Sequence, residues 1–354
     1  MPLELRRGTV VEVPHANART ARVTVELADG ARRAAIAYPA LTGAVERGDE
    51  VVVNVEAQEL GLGSGGFDIV CVNLTRGLGG NRKPGAHVMK LNYTPLQHSV
   101  DPVEQGLETA PSALGMPVVV LPLHGYLPAA AFAVSHHSPA ARVGYVQSAG
   151  GALAGQLSNV VATLLGDDTL AGHVTVAPCF GGPGEAITVE GALHAAAERL
   201  GWEAAIVGPG PGIIGSASAL GHGGLEALHN AHAALSLGCE VILAPRTSSG
   251  DPRERHRGLS HHSATVLGLL MRRVDVAVAS GLSREARSQI EHAAATAAAH
   301  RLVEADVEQA LRAYTQSELP TTTMGRSIEQ DPDFFRSALA AGMVLADRLE
   351  EEQT

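Results

Sequence analysis

Residues 1–75 alternate apolar and polar side chains. After a poorly periodic stretch, the remaining apolar residues gather in short unbroken runs separated by Ala-rich segments. The alternating part predicts strands at 5–13, 22–27, 34–38, 50–56 and 67–72, because a half-buried strand turns every second side chain inward. Turn residues part them: Asp29-Gly30, Arg47-Gly48-Asp49 and the Gly-rich 61–66 stretch. Five short strands in so little chain predict a small antiparallel β-barrel over residues 1–75.

Residues 76–116 carry Gly77, Gly79, Gly80, Pro84, Gly85, Pro95 and Pro102 and read as a connector. From residue 117 to 354 the texture is that of an α/β domain with further C-terminal helices. Strands are predicted at 118–123, 142–147, 173–177, 204–207, 241–244 and 274–279. Helices are predicted near 127–136, 155–165, 188–200, 222–237 and 261–273, then 283–299, 306–316 and 332–350. Wholly apolar strands alternating with helices predict a mostly parallel sheet with helices on both faces, a Rossmann-like arrangement. No internal repeat is present.

Composition narrows the function classes. The chain has 354 residues, 45% hydrophobic, 18% charged and 3% aromatic, which excludes disorder over most of its length. Its 26 basic and 37 acidic residues give a net charge of −11, which argues against a broad nucleic-acid footprint. The barrel offers only Tyr38 and Phe67 as stacking aromatics, so it reads as an interaction or support module. The apolar run at 118–123 is far too short to span a bilayer, and no membrane association is expected. No apolar h-region follows the first residues, so no signal peptide is expected. Cys71, Cys179 and Cys239 are scattered and without CxxC spacing, as reduced thiols of a cytoplasmic protein would be. A symmetric homodimer is the base-rate expectation for such a chain.

Ligands of open α/β sheets bind beyond the C-terminal ends of the strands, so the loops there carry the chemistry. After 204–207 comes Gly208-Pro209-Gly210-Pro211-Gly212-Ile213-Ile214-Gly215-Ser216. It is neither GxGxxG nor a P-loop. Its glycines, Gly210, Gly212 and Gly215 among them, would let backbone N–H groups approach an anion. After 241–244 comes the densest signal: Arg246, Arg253, Arg255, His256 and Arg257 put five basic side chains into twelve residues of an acidic protein. Guanidinium forks suit phosphate and carboxylate. Ser260 is a plausible N-cap, which sets His261 and His262 in a first helical turn. The expected ligand is therefore a small anion, with Arg246, Arg253, Arg255, Arg257 and Ser260 holding it. His256, His261, His262, Asp251 and Glu226 are the candidates for proton transfer. A solvated charged loop explains the arginines but not the histidines.

A metal reading over Asp251, His256, His261 and His262 is weaker. Adjacent histidines on a helix are expected to diverge, and the arginines repel a cation; no metal ligand is assigned, and the cofactor is left open. His222, Glu226, His229 and His232 have helical spacing, but Glu226-Ala227-Leu228-His229 is a lone Glu-x-x-His. The other histidines read as core or surface residues. Cys179 lacks a visible base, and no GxSxG elbow occurs.

On these stretches the chain resembles a bacterial family called domain of unknown function 3866. The matching pieces are IVGPGPGIIG (206–215), GHGGLE (221–226), RTSSGDPRERHRGLSHHS (246–263) and TMGR (323–326). CFGGPGE (179–185) and VQSAGGAL (146–153) match more loosely. The resemblance spans nearly the whole chain and implies the same polar residues: Glu226, Arg246, Asp251, Arg253, Arg255, His256, Arg257, Ser260, His261 and His262. The sequence departs from the family pattern at Ala149 and Pro183, where Asp is frequent. The resemblance implies no activity. From the residues, an enzyme acting on a phosphorylated substrate as hydrolase or transferase leads, ahead of a non-catalytic sensor and a metal-dependent hydrolase.

Overall fold

A computed structural model describes residues 2–62, 65–80, 85–216, 218–295 and 298–351. It divides into two compact units, Met1–Val100 and Asp101–Thr354. In the first, β1 (Leu5–Ala16), β2 (Ala21–Leu27), β3 (Arg32–Ala37), β4 (Glu50–Asn54) and β5 (Asp68–Asn73) close into a barrel of order β1-β2-β3-β5-β4. All its pairings are antiparallel except β3 with β5. Val10, Val23, Val25, Val51, Val53 and Val70 fill it, as the alternation requires. Two helical turns, α1 (Pro39–Thr42) and α2 (Glu56–Glu59), lie between strands. The stretch read as a connector holds a short hairpin, β6 (Val88–Lys90) with β7 (His98–Val100).

The second unit is an eight-stranded parallel sheet of order β11-β10-β9-β12-β8-β13-β16-β17. Its strands are β8 (Pro117–Val120), β9 (Val143–Ser148), β10 (Gly172–Val176), β11 (Gly184–Ala186), β12 (Ala204–Pro209), β13 (Glu240–Leu243), β16 (Asp275–Ala279) and β17 (Arg301–Ala305); β14 (Thr247–Ser248) and β15 (Gly258–Leu259) pair in a loop. A further short hairpin joins β18 (Thr322–Thr323) and β19 (Arg326–Ser327). The central β8 is buried throughout. Alternate residues of it and of the position after it feed two cores: Val119 and Leu121 on one face, Val118 and Val120 on the other. On the first face pack α3 (Leu127–His137), α4 (Asn159–Gly166), α9 (Glu308–Thr315) and α10 (Pro332–Glu351). On the second pack α5 (Val189–Glu198), α6 (Glu226–Ser236), α7 (His261–Leu269) and α8 (Arg284–Ala294). The fold is Rossmann-like, preceded by a β-barrel, as the patterning predicts. No helix among the described residues is long and apolar enough to cross a membrane.

Two helix starts differ from the expected ones, for visible reasons. The helix predicted from 155 opens as a 3-10 turn, Gly155–Leu157; α4 begins only after Ser158, whose Oγ accepts the Val161 N–H. The helix predicted from 222 begins at Glu226. Gly223–Leu225 is a 3-10 turn, and His222 before it stays extended at φ −145°. That delay keeps the His222 side chain out of the helix and in the loop above the sheet.

Candidate functional site

β8, β12 and β13 leave the sheet in adjacent positions, yet β8 leads to one side and β13 to the other. The strand order therefore switches there, which is where open α/β sheets form ligand crevices. A cavity of about 480 Å³ lies at this point, lined by the loops that follow all three strands. Leu123–Gly125 come from the first and 211–216 with His222 from the second. Arg246, Arg253, Arg255, His256, His261 and His262 come from the third, and Thr322–Met324 cover it from the C-terminal region.

The arginine loop is anchored rather than loose. β14 and β15 pinch its base. The buried Tyr126 hydroxyl donates to the Pro245 carbonyl at 3.1 Å and accepts the Thr247 N–H at 2.9 Å. Thr247 Oγ1 donates to the Asp333 carbonyl at 2.9 Å. Asp331, fully buried, accepts from Ser248 Oγ at 2.7 Å, from the Ser249 and Gly250 N–H groups at 2.9 and 3.2 Å, and from Arg326 Nε at 3.0 Å. One carboxylate thus gathers the turn that leads into Asp251.

Asp251 is itself buried and receives Arg253 bidentately, Nε at 2.9 Å and Nη2 at 2.8 Å, with Arg326 Nη2 at 3.5 Å. Burial alone would raise its pKa. The Arg253 hydrogen bonds outweigh it and hold the carboxyl well below the usual carboxylate range. Arg246 is 3% exposed, its Nη2 stands 3.8 Å from Asp251 Oδ2, and its Nε has no hydrogen-bond partner. Burial, together with the charges of Arg253 and Arg326, pushes its pKa down.

Four imidazoles line the same wall. Ser260 caps α7, its Oγ accepting the His262 N–H, and this sets His261 and His262 in the first turn. His222 and His262 stack with ring centroids 3.9 Å apart and planes at 11°. His261 lies 4.3 Å from His262 and 5.4 Å from His222, and His256 lies 5.0 Å from His262. His256 Nδ1 is 2.8 Å from Ser260 Oγ. Burial, followed by Arg246 and Arg253, pushes the His256 pKa down to about 3. Burial and neighbouring positive groups also lower His261 and His262. At neutral pH the cavity therefore presents uncharged imidazoles beside fixed guanidinium groups.

The residues expected from sequence fall into three positions. Arg246, Arg253, Arg255, His256, His261, His262, Gly212 and Gly215 line the cavity. Asp251 and Ser260 lie behind it as supports, on Arg253 and His256. Gly210, Glu226 and Arg257 do not line it: Gly210 packs against the Ala152 carbonyl, Glu226 Oε2 stands 3.4 Å from His229 Nδ1 on α6, and Arg257 is exposed. Ala149 and Pro183 do not line it either. Cys179 is buried, its thiol donating to the Ser148 carbonyl at 3.1 Å. Sequence reasoning missed His222, His124, Arg326 and Asp331. GHGGLE (221–226) and TMGR (323–326) contain His222 and Arg326, and were the available signals.

The expectation that His261 and His262 diverge does not describe them. Both rings face the same space, because the extended His222 segment and the start of α7 converge there. His222, His261 and His262 can each offer a ring nitrogen, and these nitrogens lie within 4.8 Å of one another. Asp251 is committed to the arginines and is not among them.

Among curated proteins and among solved structures, none matches the chain. The model of one family, described as protein of unknown function (DUF3866), matches residues 34–342. With most of its length covered, the chain belongs to that family.

Proposed function

We propose that this protein binds a small anionic, phosphorylated ligand at the C-terminal edge of the parallel sheet and acts on it as a hydrolase or group transferase. The observation that carries this reading is Arg246: a buried guanidinium at the cavity wall, its Nε unpartnered, facing a carboxylate already engaged by two other arginines. A buried cation left short of partners is costly, and an anion in the cavity would complete it. Arg255 lines the same cavity and would add an exposed charge. Gly212 and Gly215 supply backbone to the same lining. His256 would move the proton. A hydrogen bond donated by Ser260 Oγ to His256 Nδ1 would leave Nε2 to carry the ring proton. A bound anion would raise the depressed imidazole pKa values toward the range useful for acid–base work. The ligand is a small molecule rather than nucleic acid, in keeping with the acidic composition.

The test is a thermal-shift panel of inorganic phosphate, nucleotides and sugar phosphates on wild type and on Arg255→Ala. At about 100 times its Kd a ligand adds roughly 2.7 kcal/mol. A wild-type shift weakened in the variant is expected. No shift with any phosphorylated compound would overturn the reading.

A further inference from the structure

We propose that His222, His261 and His262 form a binding site for one divalent transition-metal ion of the zinc or cobalt type. The site shares the cavity with the arginines but not its ligands, and the inference stands without the anion reading.

Each of the three histidines has a buried ring nitrogen with no hydrogen-bond partner: Nδ1 of His222, Nε2 of His261 and Nδ1 of His262. One unpaired buried nitrogen is unremarkable, but three in one small space call for a common partner. His222 Nε2 lies 3.1 Å from the Ala219 carbonyl, which can only accept. The ring proton is therefore on Nε2, and Nδ1 presents a lone pair. Metal-bound histidines characteristically donate their other N–H to a backbone carbonyl in this way, which fixes tautomer and orientation. The backbone also leaves room. A Cβ at Gly224 would stand 2.9 Å from His262 Nδ1 and 3.0 Å from His222 Nδ1, so any larger residue would crowd both donors.

The stack of His222 on His262 sets two Nδ1 groups side by side. With the His262 proton on Nε2 as well, the two rings would repel through their Nδ1 lone pairs, and a cation between them removes the repulsion. To reach one ion at about 2.0–2.1 Å, the three nitrogens must close to roughly 3.3 Å from one another, a modest fanning of the rings about their χ2 angles. An all-imidazole set selects zinc, cobalt, nickel or copper over magnesium and calcium, which require oxygen. Three protein ligands leave a position open. With Arg246, Arg253 and Arg255 on the same cavity wall, that position favours an anionic fourth ligand such as hydroxide.

The experiment uses untagged full-length protein, stripped with a chelator and dialysed against Co2+. One Co2+ per chain with intense visible ligand-field bands is expected, displaced by Zn2+ and not by Mg2+. Affinity should fall by about 100-fold or more in His222→Ala and in His261→Ala. It should be unchanged in His229→Ala, which removes an exposed imidazole from α6. Circular dichroism on each variant verifies folding. Wild-type protein that takes up no Co2+, or that binds it without such bands, overturns the proposal without recourse to any variant. So does binding that survives the folded His222→Ala/His261→Ala double variant. Phosphate titration of the stripped protein is read in parallel, so failure of the metal site and failure of the anion site are told apart.

Discussion

Arg246→Met separates a ligand-binding arginine from a structural one. In the folded protein the side chain has one charged partner, Asp251, with Nη2 3.8 Å from Oδ2. At an effective dielectric constant of about 20 this attraction is worth roughly 4 kcal/mol. Against it stand the desolvation of a buried guanidinium, several kcal/mol, and repulsion from Arg253 and Arg326. Removing Arg246 does not orphan Asp251, which keeps Arg253 at 2.8 and 2.9 Å. The backbone bonds of Arg246, from its N–H to Ser263 Oγ and from Ser260 N to its carbonyl, are independent of the side chain. Methionine fills similar volume without charge. The expected stability change is within about 1 kcal/mol of zero, or stabilising, as when buried ion pairs give way to apolar residues. Anion affinity should fall by roughly 2–5 kcal/mol, about 30-fold to several thousand-fold. Urea unfolding reports the first quantity and calorimetric titration with inorganic phosphate the second. A loss of more than about 3 kcal/mol of stability, or unchanged phosphate affinity, would refute the reasoning.

Further outcomes follow from the same geometry. Arg255→Ala, at an exposed residue of the cavity rim, should weaken phosphate binding by roughly 0.5–1.5 kcal/mol and flatten its salt dependence, with stability unchanged; calorimetry at two salt concentrations checks it. Asp331→Ala should cost about 3–5 kcal/mol, because it leaves Arg326 only the longer 3.5 Å contact to Asp251 and frees three buried or half-buried loop donors; urea unfolding measures this, and a change under 1 kcal/mol would contradict the anchoring role. His124 is buried with a pKa pushed down to about 4 by burial. Because its folded pKa lies below the unfolded value, stability is intact above pH 6.5 and declines as pH falls toward 4, by roughly 3 kcal/mol in all; His124→Asn should flatten that part of a urea-unfolding pH series, and an unaltered slope would count against it. A methyl at Gly342 would stand 2.2 Å from the Ala130 carbonyl oxygen where α10 crosses α3, so Gly342→Ala should cost about 1–3 kcal/mol by thermal unfolding.

The hydrophobic pattern revealed the barrel strands and the six inner strands of the sheet, because each has a buried face or two. Both missed sheet strands are its edges. β11 is three residues, Gly-Glu-Ala, and β17 is Arg-Leu-Val-Glu-Ala with only Ala305 buried. An edge strand needs no apolar run, since its pairing depends on backbone groups rather than burial. The candidate site was legible where charge density stood out from an acidic background, in Arg246, Arg253 and Arg255. It was not legible where its parts are distant in sequence. Asp331 lies 83 residues from Ser248, and an Asp before a Pro reads simply as a helix start. His222 was assigned helical spacing, and only the 3-10 turn at Gly223–Leu225 takes it off the helix and into the cavity.

The charge arrangement also bears on which anion fits. Three arginines share two buried carboxylates, Asp251 and Asp331: Arg246 is buried, Arg326 largely buried and Arg253 exposed. Arg253 and Arg326 are consumed in holding the loop, which leaves the equivalent of one unmatched positive charge centred on Arg246. Arg255 at the rim adds a second. A phosphate monoester, carrying about −1.5 to −2 at pH 7, matches both; a monocarboxylate matches one and leaves the other without compensation. Holding the scaffold arginines fixed costs no reorganisation when the ligand arrives, which is what electrostatic preorganisation requires. Inorganic phosphate should therefore bind at least about tenfold more tightly than acetate at equal ionic strength. Equal affinities in a competition titration would mean that Arg255 does not share the ligand with Arg246.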